Sequence, residues 1–214
     1  FGLDYCCGGH RTLAEASAGS RLQLAPIVDA LAALGAPDPE NENRQWPDLT
    51  SLTRHIVQRH HRYVREMIPA IEGWLAKLVS RHGTRHPELS QVWQTFSQLA
   101  AELSSHMAKE ESLLFPAIDD LATASHTGAR LPASPFGTVL YPVRAMEDEH
   151  RAAGELLGQL RALTSNYTPP PDACTTFRLC YGELQRFQAD LVEHVHLENN
   201  VLFPRALDLE RQLA

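Results

Sequence analysis

Apolar positions along the chain recur at helical spacing, and no segment alternates as a half-buried strand does. Residues 1–35 read as a small helical unit: Gly8-Gly9 interrupts the chain after Cys6-Cys7, and Thr12–Ala18 and Arg21–Leu34 follow as short helices, the second closed by Gly35. Ala36 to Pro47, rich in Pro, Asn and Glu, predicts a linker. From Asp48, an N-cap candidate, Leu49, Leu52, Ile56, His60 and Tyr63 share one face of a long helix. A second helix is expected from Pro87 to about Leu121, and a third from near Phe136–Pro142 to near Ser165. A fourth follows Pro169-Pro170-Pro171-Asp172 and runs to about Leu209. The expected fold is all-α: a four-helix antiparallel bundle over residues 46–214 and a small N-terminal helical domain with its linker over residues 1–45.

The two halves of the bundle repeat one pattern, over about residues 48–122 and 137–210. Residues 106–116 and 194–204 both read His-x3-Glu-x3-Leu-Phe-Pro. Upstream, His61-Arg62-x3-Glu66 matches His150-Arg151-x3-Glu155. The registers agree, with 45 residues from His61 to His106 and 44 from His150 to His194. Each copy is therefore a helical hairpin that offers one histidine from its first helix and His-x3-Glu from its second.

Residues four apart stand one above the other on a helix face, so His106 with Glu110, and His194 with Glu198, can aim at one spot. His61 and His150 add an imidazole each from neighbouring helices. Four histidines and two carboxylates suit two metal ions, with Glu110 and Glu198 bridging and positions left for an oxo or hydroxo group or a substrate. Mixed imidazole and carboxylate ligands favour iron or manganese over thiolate-rich zinc or all-oxygen magnesium and calcium sites. A single His-x3-Glu carries little weight, and a duplication that had lost its ligands would also retain the pattern. Burying four His and two Glu with no metal would, however, cost several kcal/mol.

Several runs then carry a resemblance. Leu3-Asp4-Tyr5-Cys6-Cys7-Gly8-Gly9, Glu102-Leu103-Ser104-Ser105-His106-Met107 with Lys109-Glu110-Glu111, the stretch Thr168 to Thr176, and Leu197-Glu198-Asn199-Asn200-Val201-Leu202-Phe203-Pro204 continuing to Leu207 resemble the repair of iron centres (RIC) family of hemerythrin-like proteins. The resemblance implies two non-haem iron ions held by His61, His106, Glu110, His150, His194 and Glu198. It also implies an N-terminal domain bearing the Cys-Cys-Gly-Gly motif and a role in restoring iron–sulfur clusters damaged by nitric oxide or peroxide. The chain departs from that family in two places. His60-His61 stands where the family tends to carry Tyr-His, and the match to His150 selects His61. Ile68-Pro69-Ala70-Ile71 replaces Leu-Pro-Glu-Leu and loses a carboxylate.

Composition narrows the setting. The chain has 214 residues, 26 acidic against 19 basic, a net charge of −7, and 11 histidines. The acidic balance argues against nucleic acid as a partner, and no apolar run approaches the ~18 residues of a membrane span. Adjacent Cys6 and Cys7 would close a strained ring, and Cys174 and Cys180 are off the spacing of one helix face, so a reducing, cytoplasmic setting is expected. Cys6 and Cys7 read either as a thiol site that meets iron, a cluster or a redox partner, or as a buried packing pair. Glu102, one turn before His106, and Glu149, beside His150, are candidates to support the ligands or line a path to them, with solvated surface as the alternative. Pro116 and Pro204 are expected to end or kink their helices. His82, His86, His126 and His196 are expected at the surface or in loops.

Three functions compete: supply of iron to damaged iron–sulfur proteins with help from Cys6 and Cys7, reduction of NO to N2O at a diferrous site, and O2 or NO carriage or sensing. A thiol pair favours the first two. Exchange of the N-terminal unit between chains would make a homodimer.

Overall fold

A computed structural model describes residues 12–18, 23–33, 46–131 and 135–213. Among them are six helices and no strand: α1 (Leu13–Ala18), α2 (Leu24–Ala33), α3 (49–82), α4 (88–127), α5 (Leu140–Leu163) and α6 (175–213). Cys6 and Cys7 lie outside the described residues.

Local chemistry sets the helix starts. At α1, Thr12 and Glu15 form a reciprocal cap: Glu15 N–H donates to the Thr12 hydroxyl at 3.2 Å, and Thr12 N–H donates to the Glu15 carboxylate at 2.8 Å. At α3, Asp48 is in extended backbone, and its carboxylate accepts from Ser51 N–H at 2.6 Å, as expected of an N-cap. Asp48→Ala should cost about 1 kcal/mol and lower the melting temperature by roughly 2–4 °C, readable by calorimetry. An unchanged melting temperature would show that the cap is redundant with the packing of Leu49 and Leu52.

Helices α3 to α6 form an up-and-down bundle. Thr53 meets Asp119 and Ser97 meets Glu72, so α3 and α4 run antiparallel. His60 stacks on His194, Tyr63 packs near Phe187 and His82 meets Phe177, so α3 and α6 are antiparallel too. At the ends of the α5–α6 pair, Thr138 bonds Glu210 and Tyr167 bonds Gln188. Apolar faces build two core clusters. One contains Leu75, Phe96, Leu103, Phe177 and Phe187. The other contains Leu52, Ile56, Leu114, Phe115, Leu202 and Phe203. Between the side chains of these clusters lies a layer of buried polar residues.

Of the two roles expected of the Leu-Phe-Pro prolines, ending or kinking a helix, the first is ruled out. Pro116 and Pro204 do not end their helices: α4 continues to Thr127 and α6 to Leu213. The ordinary i→i−4 ladder is already interrupted there. A π-helical turn, Glu110–Leu114 in α4 and Leu197–Leu202 in α6, immediately precedes each Phe-Pro. The wider turn absorbs the proline, which has no N–H to give and whose ring would clash in a regular helix. A third such turn, Ile56–His61, lies in α3.

Candidate metal centre

The π turns coincide with the polar layer: His61 ends one, Glu110 begins another, and Glu198 is the second residue of the third. One extra residue in a turn rotates the downstream side chains about the helix axis, and such turns gather at functional sites. His106, Glu110, His150, His194 and Glu198 join His61 in this layer, all buried.

The nitrogens and oxygens converge. His61 Nε2 lies 3.1 Å from His194 Nε2, and His150 Nε2 lies 3.0 Å from His106 Nε2. Glu110 Oε2 lies 3.4 Å from His61 Nε2 and 3.3 Å from His106 Nε2. Glu198 divides its oxygens, Oε1 at 3.0 Å from His194 Nε2 and Oε2 at 3.1 Å from His150 Nε2. Two groups result, His61–Glu110–His194–Glu198 and His106–Glu110–His150–Glu198, in each of which the candidate ligand atoms lie within 4.8 Å of one another. Both glutamates belong to both groups. His60 belongs to neither, although it is fully buried beside them.

A cation fits this geometry better than a protein-only network does. Imidazole–metal bonds of about 2.1 Å meeting at a right angle put their nitrogens about 3.0 Å apart, the separation of both histidine pairs. Among the described residues Glu110 Oε1 is buried with no hydrogen-bond partner, and Glu110 Oε2 and Glu198 Oε2, equally buried, meet only the imidazole nitrogens of the cluster in imperfect hydrogen-bond geometry. Such orphaned acceptors cost about 1–3 kcal/mol each unless something positive is shared among them.

Protons take part of that role in the metal-free chain. Burial opposes the charged form of His106, but Glu110, Glu198 and Glu149 outweigh it and raise the ring to about 9. His61 and His150 are raised in the same way, burial opposing and the glutamates prevailing. His194 is the exception: burial lowers it despite Glu198. Burial and mutual repulsion push Glu110 upward, yet His106 and His61 hold it below the usual carboxylate value. Glu198 is held well below that value against burial by His194 and His150.

A second ring of side chains orients the histidines. His61 Nδ1 donates to Glu111 at 2.6 Å, His106 Nδ1 to Glu149 at 2.9 Å, and His150 Nδ1 to the Asn199 carbonyl at 2.8 Å. Glu111 also takes Arg65 at 2.8 Å, and Glu149 takes Lys109. Phe115 stacks on His61 with ring centroids 5.7 Å apart, and Phe203 on His150 at 6.1 Å. The aromatic of each Leu-Phe-Pro thus covers the first histidine of a repeat. Glu149 therefore serves His106, across the helix interface, and not its neighbour His150. Glu102 accepts from Gln98 and, with Glu149, Lys109, His106, His150 and His194, lines a cavity of about 280 Å³ that reaches the polar layer.

The repeat pattern alone does not single out Glu111 and Asn199. Each stands directly after a candidate bridging glutamate, which is the signal that could have found them. Glu111→Leu should weaken metal affinity about ten- to a hundredfold. Competition with a chelator measures this, and wild-type affinity in the variant would remove Glu111 from the site. Four further histidines stay out of the cluster: His126 is exposed, His196 bonds Asn200, and His82 and His86 pack against Phe177.

The hemerythrin HHE cation binding domain matches residues 52–206. A second family, ScdA_N, described as a domain of unknown function, matches residues 1–35. Proteins of Escherichia coli strains UMN026 and 536 and of Escherichia fergusonii are each 39% identical over 207 residues, covering 97% of this chain and 88% of theirs. Each bears the name iron-sulfur cluster repair protein YtfE. The chain belongs to the hemerythrin-like RIC family. Membership makes this helical bundle a cation-binding domain, and the His/Glu layer is where its described residues gather metal ligands. No helix among the described residues of this RIC protein is long and apolar enough to cross a membrane.

Proposed function

We propose that this protein restores damaged iron–sulfur clusters, the role that its relatives' names give them, and that it does so by supplying iron from a centre of two ions. The observation that carries the reading is the pair of buried His2Glu2 groups sharing Glu110 and Glu198. In this reading His61 and His194 hold one ion, His106 and His150 the other, and the two glutamates bridge them. Iron is the choice among imidazole–carboxylate metals because the family is hemerythrin-like. The bound ions supply exchangeable iron and, when ferrous, electrons. The chain supplies the rest: Nδ1 acceptors that hold the rings in place, apolar clusters that exclude water on either side, and a cavity past Lys109 and Glu149. In this reading Cys6 and Cys7, of the N-terminal unit expected over residues 1–45, assist the transfer, in a reducing, cytoplasmic setting.

Protein loaded with labelled iron in the absence of air, then mixed with an apo-ferredoxin and sulfide, should yield a cluster containing the label. A cluster that forms only from added free iron would refute delivery. Persistence of full transfer in a Cys6→Ala/Cys7→Ala variant would remove the thiols from the process.

The cavity favours a second reading, because it gives a diatomic molecule access to three of the four histidines. Two NO, two protons and two electrons from a diferrous pair balance to N2O and water. Headspace assay of N2O after mixing diferrous protein with NO separates this enzymatic reading from iron supply, and O2 or NO binding without N2O would point to a carrier.

A further inference from the structure

The internal repeat allows the two halves of the centre to be compared within one molecule. His61 corresponds to His150, His106 to His194, and Glu111 to Asn199. Glu149, just before His150, corresponds to His60, just before His61. Three of the four histidines have Nδ1 held by an oxygen, those of Glu111, Glu149 and Asn199. His194 breaks the pattern. Its Nδ1 is buried and has no hydrogen-bond partner among the described residues. The reason is the residue at position 60. Where one half places the Glu149 carboxylate against His106, the other lays the His60 ring parallel to His194, with centroids 5.4 Å apart and planes 5° apart. A stacked ring presents its face and accepts nothing from Nδ1. Asp190, which could have served, faces His60 at 3.2 Å and Arg59 at 3.4 Å instead.

An acceptor on the outer nitrogen of a metal-binding imidazole fixes its tautomer and plane and makes the inner nitrogen a stronger ligand. Loss of that partner weakens metal binding about ten- to a hundredfold. The position of His106 and His150 has both rings held, and that of His61 and His194 has one.

We propose that the two metal positions are unequal, and that the ion held by His61 and His194 is the one this protein gives up first. This rests on the two-ion reading of the centre. The cavity does not account for the difference, because His106 and His150 line it together with His194; the missing acceptor on His194 does. His60 is a positioning residue of this arrangement, acting through His194.

The experiment is release of ferrous iron from fully loaded protein into an excess of a colour-forming chelator, without air. Two phases of equal amplitude, one ion each and separated about tenfold or more in rate, are expected. Asn199→Leu removes the acceptor of His150 and should accelerate the slow phase alone. His60→Gln offers His194 a carbonyl and should slow the fast phase alone. A single phase carrying both ions overturns the proposal, as does an Asn199→Leu effect confined to the fast phase or a fast phase that His60→Gln leaves unchanged. Protein that takes up only one ion in total refutes the two-ion reading instead, so the two failures are distinguishable.

Discussion

Glu110→Ala should strip both metal ions from the protein, whereas His194→Ala should leave one. The difference comes from the geometry of the carboxylates. Oε2 of Glu110 is the same atom 3.4 Å from His61 Nε2 and 3.3 Å from His106 Nε2, so its loss touches both positions. A histidine belongs to one position only. Removing Glu110 also deletes one of two negative charges from the buried layer that accepts two cations in the proposed centre, and an uncompensated buried charge costs several kcal/mol. Metal content after desalting without air should fall to roughly a tenth of wild type in Glu110→Ala and to about half in His194→Ala. Glu110→Gln keeps the volume and should match Glu110→Ala, with helical content by circular dichroism confirming that the chain remains folded. Wild-type metal content in either Glu110 variant would mean that Glu110 is not a shared ligand.

Much of the bundle and its polar layer can be read from the chain, and the reason is the duplication. One His-x3-Glu is weak, but two copies in register, each ahead of Leu-Phe-Pro and each behind a His-Arg-x3-Glu, single out six residues that the fold does bring together. What the one-dimensional pattern lacks is anything decided across helices. Glu149 is adjacent to His150 in the chain, yet its carboxylate crosses to His106. Phe115 looks like ordinary core, and only the meeting of α3 with α4 lays it over His61. The π turns escape a period of 3.6 because each adds one residue locally while apolar spacing on either side stays helical. That is also why Pro116 and Pro204, read as ending or kinking their helices, lie inside helices that continue. Glu111 and Asn199 escape the pattern because i, i+1 neighbours do not share a helix face. The widened turn begins at Glu110 in α4 and includes Glu198 in α6, and the next residue along each helix reaches an outer nitrogen.

Removing the metal should make stability depend on pH in one particular direction. In the metal-free chain His106 is raised from 6.5 to about 9, with burial opposing and Glu110, Glu198 and Glu149 prevailing. A group raised on folding stabilises fully below its ordinary value and loses that contribution as pH climbs through the folded one. For His106 the loss is about 3 kcal/mol between pH 6.5 and a pH above 9. His61 and His150, also raised, act in the same sense, and His194, lowered, acts against them. Glu110 and Glu198 are lowered, so their contribution is present above the ordinary carboxylate value and disappears as pH falls through their folded values. Metal-free protein should therefore be most stable in weakly acidic solution, between the carboxylate range and pH 6.5. On going to pH 10 its melting temperature should drop by roughly 6–12 °C. In loaded protein the metal ions neutralise Glu110 and Glu198 in place of those protons, and the alkaline drop should be much smaller. Metal uptake near pH 7 must accordingly expel protons from His106, which a weakly buffered indicator solution would register. Equal alkaline losses with and without metal would mean that protons and metal ions do not compete for this layer, and the four histidines would then be packing residues.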